Sequence, residues 1–261
     1  MKSSRRRFEE LAWVLGLHGT VVTLYRSVGN RANASALKNF YASFVPPTSL
    51  VFDIGANVGQ YAEALEAIGC TVVAVEPNSD CVRHIELTYP GKKIEVLHAA
   101  TGPKDGLTSF NVSDTRDDTS TMSKEWMAML EKEYRHNPGE WRRMTVPTVT
   151  LDTLISHYGL PFYIKIDVEG FEPFVLDGLS TQPSILSFEC HGLLIDGALE
   201  CVGKRVFSED SGFNLTDDSG CRFVFADPVP QATIRKALED LRGVQTYRDV
   251  YVLRGTSSAK P

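Results

Sequence analysis

A doubly wound α/β fold, a mostly parallel sheet with helices on both faces, is predicted by three stretches of this 261-residue chain. Leu50 to Gly59 reads as a buried strand, a glycine-rich turn and the start of a helix. Thr71–Val75 is a second apolar run of strand length, ending in Glu76. Phe162 to Glu172 repeats the strand, turn and helix, with Asp167, Glu169 and Gly170 in the turn. In open sheets of this class, ligands sit outside the carboxyl ends of the strands.

The elements follow in order. Met1 to Arg7 is basic and Leu11 to Tyr25 largely apolar, but Glu9, Glu10 and His18 break the pattern of a signal peptide. The run is also too short and too interrupted to span a bilayer. Phe8, Leu11, Ala12 and Leu15 share one face of an amphipathic helix at about 5–17, which would pack on its own domain or on a second copy in a homodimer. Arg5, Arg6 and Arg7 keep peripheral membrane contact open as the minor alternative. A second helix near 34–44 stops at Pro46 and Pro47. The chain thus divides into a helical extension over 1–46 and a domain over 47–256.

That domain reads as a strand at 49–54, a helix at 57–68 capped by Asn57, a strand at 71–76, a helix at 79–88 and a strand at 94–99. One more strand fits 107–112. Residues 113–145 then break the alternation with the polar run 113–121 and a helix at 123–135, stopped by His136 to Gly139. An insertion of this kind carries function or moves, and here it would form a substrate lid over the strand ends. Trp126 and Trp141 lie in it, Trp126 as a core position of its helix. Beyond it come a strand at 144–151, helix 152–158, strand 163–166, a short helix ending near Gly178 and strand 184–189. The remainder gives helix 197–208, strands 213–215 and 222–225, helix 230–242 and an antiparallel C-terminal edge strand at 244–253.

Composition narrows the function. Hydrophobic residues at 43% and charged residues at 23% are ordinary for one globular domain, and a net charge of −6 argues against nucleic acid as the main partner. The five cysteines are odd in number and lack a C-x-x-C pair. Reduced, buried thiols of a cytoplasmic protein are the expectation, without zinc.

The first turn says what the sheet binds. A dinucleotide fingerprint needs three glycines, and Gly55-Ala56-Asn57-Val58-Gly59 supplies two. Asp53 stands just before the turn, placed to meet an ammonium group, and Glu76 stands where an acid reaches ribose hydroxyls. The pair suits a nucleoside with a cationic amino-acid tail, S-adenosylmethionine, with S-adenosylhomocysteine as product. An NAD-dependent oxidoreductase and a cofactor-binding scaffold without catalysis are the rivals. The first would show nicotinamide absorbance changes, and the second would bind the cofactor without turnover.

Four segments, VFDIGANVGQYA (51–62), AVEPNS (74–79), TVTLDTLI (148–155) and YIKIDVEGFEPFVLDGL (163–179), followed by SFE (187–189), together resemble the FkbM-type methyltransferases. The resemblance implies a Rossmann-like fold and S-adenosylmethionine-dependent transfer to a hydroxyl of a sugar, glycolipid or natural product. It implies that Asp53, Gly55, Ala56, Asn57, Gly59 and Tyr61 lie at the methionine end of the cofactor, and Glu76, Pro77 and Asn78 at the ribose and adenosine. Ala99 and Ala100 would neighbour the adenine. Lys165, Asp167 and Glu169 would face the reacting methyl.

An alcohol nucleophile benefits from a base, for which Asp167, Glu169, Glu189 and His191 are the candidates. Asp167, Glu169 and Glu189 could instead hold a divalent metal, the less favoured reading.

Overall fold

The computed structural model describes residues 34–113, 120–133 and 141–255. The helix expected at 5–17, with its membrane or dimer contacts, lies outside the described residues, as do most of the polar run 113–121 and the stop at 136–139. Among the described residues no helix is long and apolar enough to cross a membrane.

Seven strands form the main sheet: β1 (Leu50–Ile54), β2 (Thr71–Val75), β3 (Ile94–Leu97), β7 (Tyr163–Ile166), β8 (Ile185–His191), β9 (Gly212–Leu215) and β10 (Tyr247–Leu253), in the order β3-β2-β1-β7-β8-β10-β9. β1 pairs in parallel with β2 and β7, and β8 with β7. The strand order reverses beside β1, which opens the crevice at which such sheets bind ligands. The expected antiparallel strand is β10, and it lies one position in from the edge, between β8 and β9. Residues 222–225, expected as a strand, make only a bridge from Phe223 to Thr216.

Three further strands, β4 (Ala100–Thr101), β5 (Gly106–Ser113) and β6 (Trp141–Val149), form a separate sheet in the order β4-β6-β5. The two inserted strands pair antiparallel over eight residues, so the insertion is a ribbon with a helix between its arms.

The helices are α1 (34–42), α2 (Gln60–Glu66), α3 (Ser79–Thr88), α4 (Lys124–Glu133), α5 (Leu151–Tyr158), α6 (Glu172–Leu176), α7 (Ile195–Val202) and α8 (Gln231–Glu239). Val51, Ala74, Tyr163, Ile185 and Tyr251 cover one sheet face against Leu37, Phe40 and Tyr41 of α1. Phe52, Ile164, Leu186, Phe188 and Val250 cover the other against α5 to α8. Period-two alternation of apolar side chains is what lets one sheet carry both cores. Trp126 is 1% exposed, in the core position expected of it. Cys70, Cys81, Cys190 and Cys201 are buried, and none of the five cysteines is in a disulfide.

Candidate active site

The turn after β1 is built from backbone. Gly55 has φ +80, and a Cβ there would stand 1.8 Å from the carbonyl oxygen of Asp167, so the two catalytic-end turns touch main chain to main chain. Asn57 also has positive φ and does not cap the helix. Gly59 is the N-cap of α2, which begins at Gln60, two residues later than an Asn57 cap would start it. The reason is local: the Asn57 N–H donates to Glu76 at 2.8 Å and its side-chain oxygen accepts from the Cys81 thiol. A Cβ on Gly59 would meet Ile85 and Tyr89 of α3 at 3.0 Å, so this glycine serves helix packing.

Glu76 follows β2. Its two carboxylate oxygens each accept one backbone N–H, from Asn57 and Asn78, both at 2.8 Å. Burial pushes its pKa up to about 7 against those two bonds. Each oxygen keeps a lone pair for a further donor. Asn78 caps α3, accepting from the Asp80 N–H.

Asp53 is fully buried, and neither of its oxygens has a hydrogen-bond partner. Burial raises its pKa to about 6, although Lys165 pulls it down. A buried carboxylate without a donor is costly unless a cation or donor arrives.

A cavity of about 290 Å³ opens over these turns. Gly55, Ala56, Asn57, Tyr61, Glu76 and Pro77 line one part of it, Ala99 and Ala100 another, and Asp167 and Glu169 a third. Nine of the twelve expected cofactor residues, Asp167 among them, are thus brought to one cavity, while Asp53, Gly59 and Asn78 do not line it. The sequence reading missed Thr101 of β4, Phe110 of β5, and Ser120 and Met122 beyond β5, all of which line the cavity. Phe110 falls in the strand expected at 107–112 and Ser120 in the polar run 113–121; Thr101 and Met122 carried no signal. An orphaned carboxylate for an ammonium, a carboxylate with two spare lone pairs for a diol and an apolar slot beside Ala99 fit S-adenosylmethionine.

The second group of acids lies on β7 and β8. Lys165 is 1% exposed and does not line the cavity; its Nζ is 2.6 Å from Asp167 and 3.8 Å from the centre of the Tyr61 ring. Burial alone would lower its pKa, but Asp167 and the neighbouring groups hold it above its ordinary value. Carboxylate oxygens of Asp167, Glu169 and Glu189 lie within 4.8 Å of one another, as the metal reading requires. Glu169 is held at φ +55, its carbonyl accepting from the Thr121 hydroxyl at 2.7 Å. Burial and then Asp167 and Glu169 push the Glu189 pKa well above the ordinary carboxylate range.

β8 continues past Glu189 to His191, whose ring is buried. The His191 Nδ1 accepts the Leu193 N–H at 3.2 Å. In the neutral ring the proton therefore sits on Nε2, which is a donor. Burial lowers the His191 pKa, which keeps the ring neutral.

The family model described as the Methyltransferase FkbM domain matches residues 53–200, more than half of the chain. No curated protein matches the sequence. Among solved structures, the chain is similar to the plantazolicin methyltransferase BpumL, at 10% identity over 94% of this chain and 93% of that one, with a TM-score of 0.43. A TehB-like S-adenosylmethionine-dependent methyltransferase from Corynebacterium glutamicum gives 11% identity, coverages of 92% and 99%, and a TM-score of 0.43. Magnesium protoporphyrin IX methyltransferase from Synechocystis gives 11%, coverages of 87% and 81%, and 0.42. With its match from the first carboxylate to α7, the chain belongs to the FkbM methyltransferase family and is an S-adenosylmethionine-dependent methyltransferase.

Proposed function

We propose that the chain transfers the methyl group to a hydroxyl oxygen of a sugar, glycolipid or related natural product. The observation that carries this reading is the set of carboxylates at the cavity's far wall, Asp167 and Glu169 with Glu189 within 4.8 Å. When bound, S-adenosylmethionine supplies an electrophilic methyl on a sulfonium, so the protein's work is placement and proton removal.

Asp53 takes the ammonium of the amino-acid tail, with the backbone of Gly55, Ala56 and Asn57 along that tail and Gly59 fixing the helix behind it. Glu76 accepts the two ribose hydroxyls with its spare lone pairs. Pro77, Asn78, Ala99 and Ala100 bound the nucleoside. Tyr61 closes the methionine end, and Lys165 beneath it keeps Asp167 in place. Glu189 is the base: its carboxylate lies within 4.8 Å of those of Asp167 and Glu169, and burial together with these two acids raises its affinity for a proton. His191 serves as a donor, because its one free nitrogen carries the proton. The helix of the 113–145 insertion covers the acceptor.

Binding is the first test. Calorimetric titration with S-adenosylmethionine and S-adenosylhomocysteine should show both bound, at least about tenfold more weakly in Asp53→Ala and in Glu76→Ala. A folded wild-type protein that binds neither would sink the reading. The carboxylate trio also favours a second reading, in which a divalent cation holds two acceptor oxygens. Dialysis against EDTA separates the two: methylation of an accepted hydroxyl persists under the base reading. Under the metal reading it stops and returns with magnesium.

A further inference from the structure

Two residues beyond the acids, β8 and β10 present a square of side chains that the cofactor does not need. In their antiparallel register Glu189 faces Asp249 and His191 faces Tyr247, so all four project from one face of the sheet. Glu189 joins this square to the cavity through Asp167 and Glu169. Among the described residues, neither the Glu189 nor the Asp249 carboxylate takes a hydrogen bond; Asp249 meets Thr216 through its backbone alone.

Trp126 joins the His191 and Tyr247 corner of the square: its ring is 5.7 Å from that of His191 and 6.3 Å from that of Tyr247, and the last two stand 4.4 Å apart. Trp126 is anchored, its Cβ standing 3.2 Å from where a Cβ on Gly170 would be. The indole N–H of Trp126 and the Nε2–H of His191 are both without a partner, in side chains 1% and 3% exposed. Two adjacent buried donors, each fixed by packing, are unpaid polar groups until an oxygen reaches them. Tyr247, by contrast, is 42% exposed.

We propose that this square is the acceptor subsite and that it takes a polyhydroxylated sugar ring. The proposal rests on the hydroxyl-methylating reading above. Tyr247 gives the ring an aromatic platform, Glu189 and Asp249 accept from its hydroxyls, and Trp126 and His191 donate to a ring or substituent oxygen. Tyr247 and Asp249 lie outside the family-matched residues 53–200, so this chain's choice of acceptor is set by its own C-terminal strand.

Saturation-transfer NMR on the full chain loaded with S-adenosylhomocysteine tests this, with methyl α-D-mannopyranoside, methyl β-D-glucopyranoside and methyl α-L-rhamnopyranoside as probes. At least one should receive saturation and shift the Trp126 indole N–H resonance, identified by its loss in Trp126→Phe. The signal should fall at least about tenfold in Tyr247→Ala and in Asp249→Asn, the size of one charge-assisted hydrogen bond. It should return in Tyr247→Phe, which keeps the platform, with S-adenosylhomocysteine affinity unchanged in all three variants. Equal signals in wild type and variants, or no transfer to any probe from the loaded wild type, would overturn the subsite. Parallel loss of S-adenosylhomocysteine affinity in the variants would overturn it too, by making the residues structural. If the wild type fails to bind S-adenosylhomocysteine at all, the methyl-transfer reading falls, and the subsite with it.

Discussion

The two ends of the active cleft are held together by different forces. At the β1–β2 end the main chain does the positioning: the Gly55 turn lies against the Asp167 carbonyl, and backbone N–H groups fix both oxygens of Glu76. At the β7–β8–β10 end the main chain merely delivers side chains to one face. There Asp167 and Asp249 act on Lys165, the buried cation, while Glu169 and Glu189 cluster with Asp167. Burial and Asp167 dominate the environment of Glu189, and burial that of Asp249, whose pKa rises to about 6. A site made of backbone tolerates little change of shape. A site made of charge should tolerate shape and fail on charge.

The largest effect is expected where shape is challenged. Gly55→Ala would drive a methyl group into a carbonyl oxygen at 1.8 Å, at a residue already at φ +80. A loss of about 4 kcal/mol or more is expected, in the exceptional class reserved for such collisions. Gly91→Ala is the control: φ is +74 but nothing lies within 4 Å, so about 1 kcal/mol is expected. Urea denaturation of both variants decides it. Equal losses would mean that the turn is flexible and that main-chain contact does not fix this end of the cleft.

Charge is challenged next. Lys165→Met keeps the length of the side chain but strips the half-buried Asp167 of its buried cation, at a cost of about 3 kcal/mol. Adding Asp167→Asn should recover part of that loss, because the uncompensated charge goes with it. If the double variant is as unstable as the sum of the two single ones, the pair is not coupled and Lys165 acts through packing on Tyr61.

The same contrast explains what could be read in advance. Strand, turn and helix around Gly55 and Asp167 are written locally, as apolar runs closed by glycine and acid, and the acids fell where parallel strands end. Asn57 misled because an asparagine before a helical pattern normally caps it, whereas here the backbone of Asn57 is committed to Glu76, nineteen residues away. Phe110 and Asp249 were out of reach for a related reason. Each enters the cleft through a register between distant strands, Ser113 with Trp141 or Glu189 with Asp249, and no local spacing encodes a register. Residues 222–225 looked like a strand by composition but find only one bridging partner.

The smallest effect is on cofactor affinity, and its sign follows from Asp53. Burial holds this carboxyl near pKa 6, well above its ordinary 3.8. An incoming ammonium favours the ionised form, so binding must expel a proton wherever Asp53 is still protonated. Affinity for S-adenosylmethionine should therefore rise with pH, by up to about tenfold per unit below about pH 6, and level off above about pH 7, once Glu76 is also ionised. Stability of the unliganded protein should run the other way. Between the ordinary and the raised pKa the folded state keeps a proton that the unfolded chain has lost, so stability falls as pH rises through that window. Titration in two buffers of different ionisation enthalpy measures the proton count directly. Release at about pH 5.5 that fades by about pH 7.5, and disappears in Asp53→Asn, would tie the backbone-built end of the cleft to a single buried charge. An affinity independent of pH would mean that Asp53 is already ionised beneath Lys165, and that the division between the two ends is less sharp than their geometry suggests.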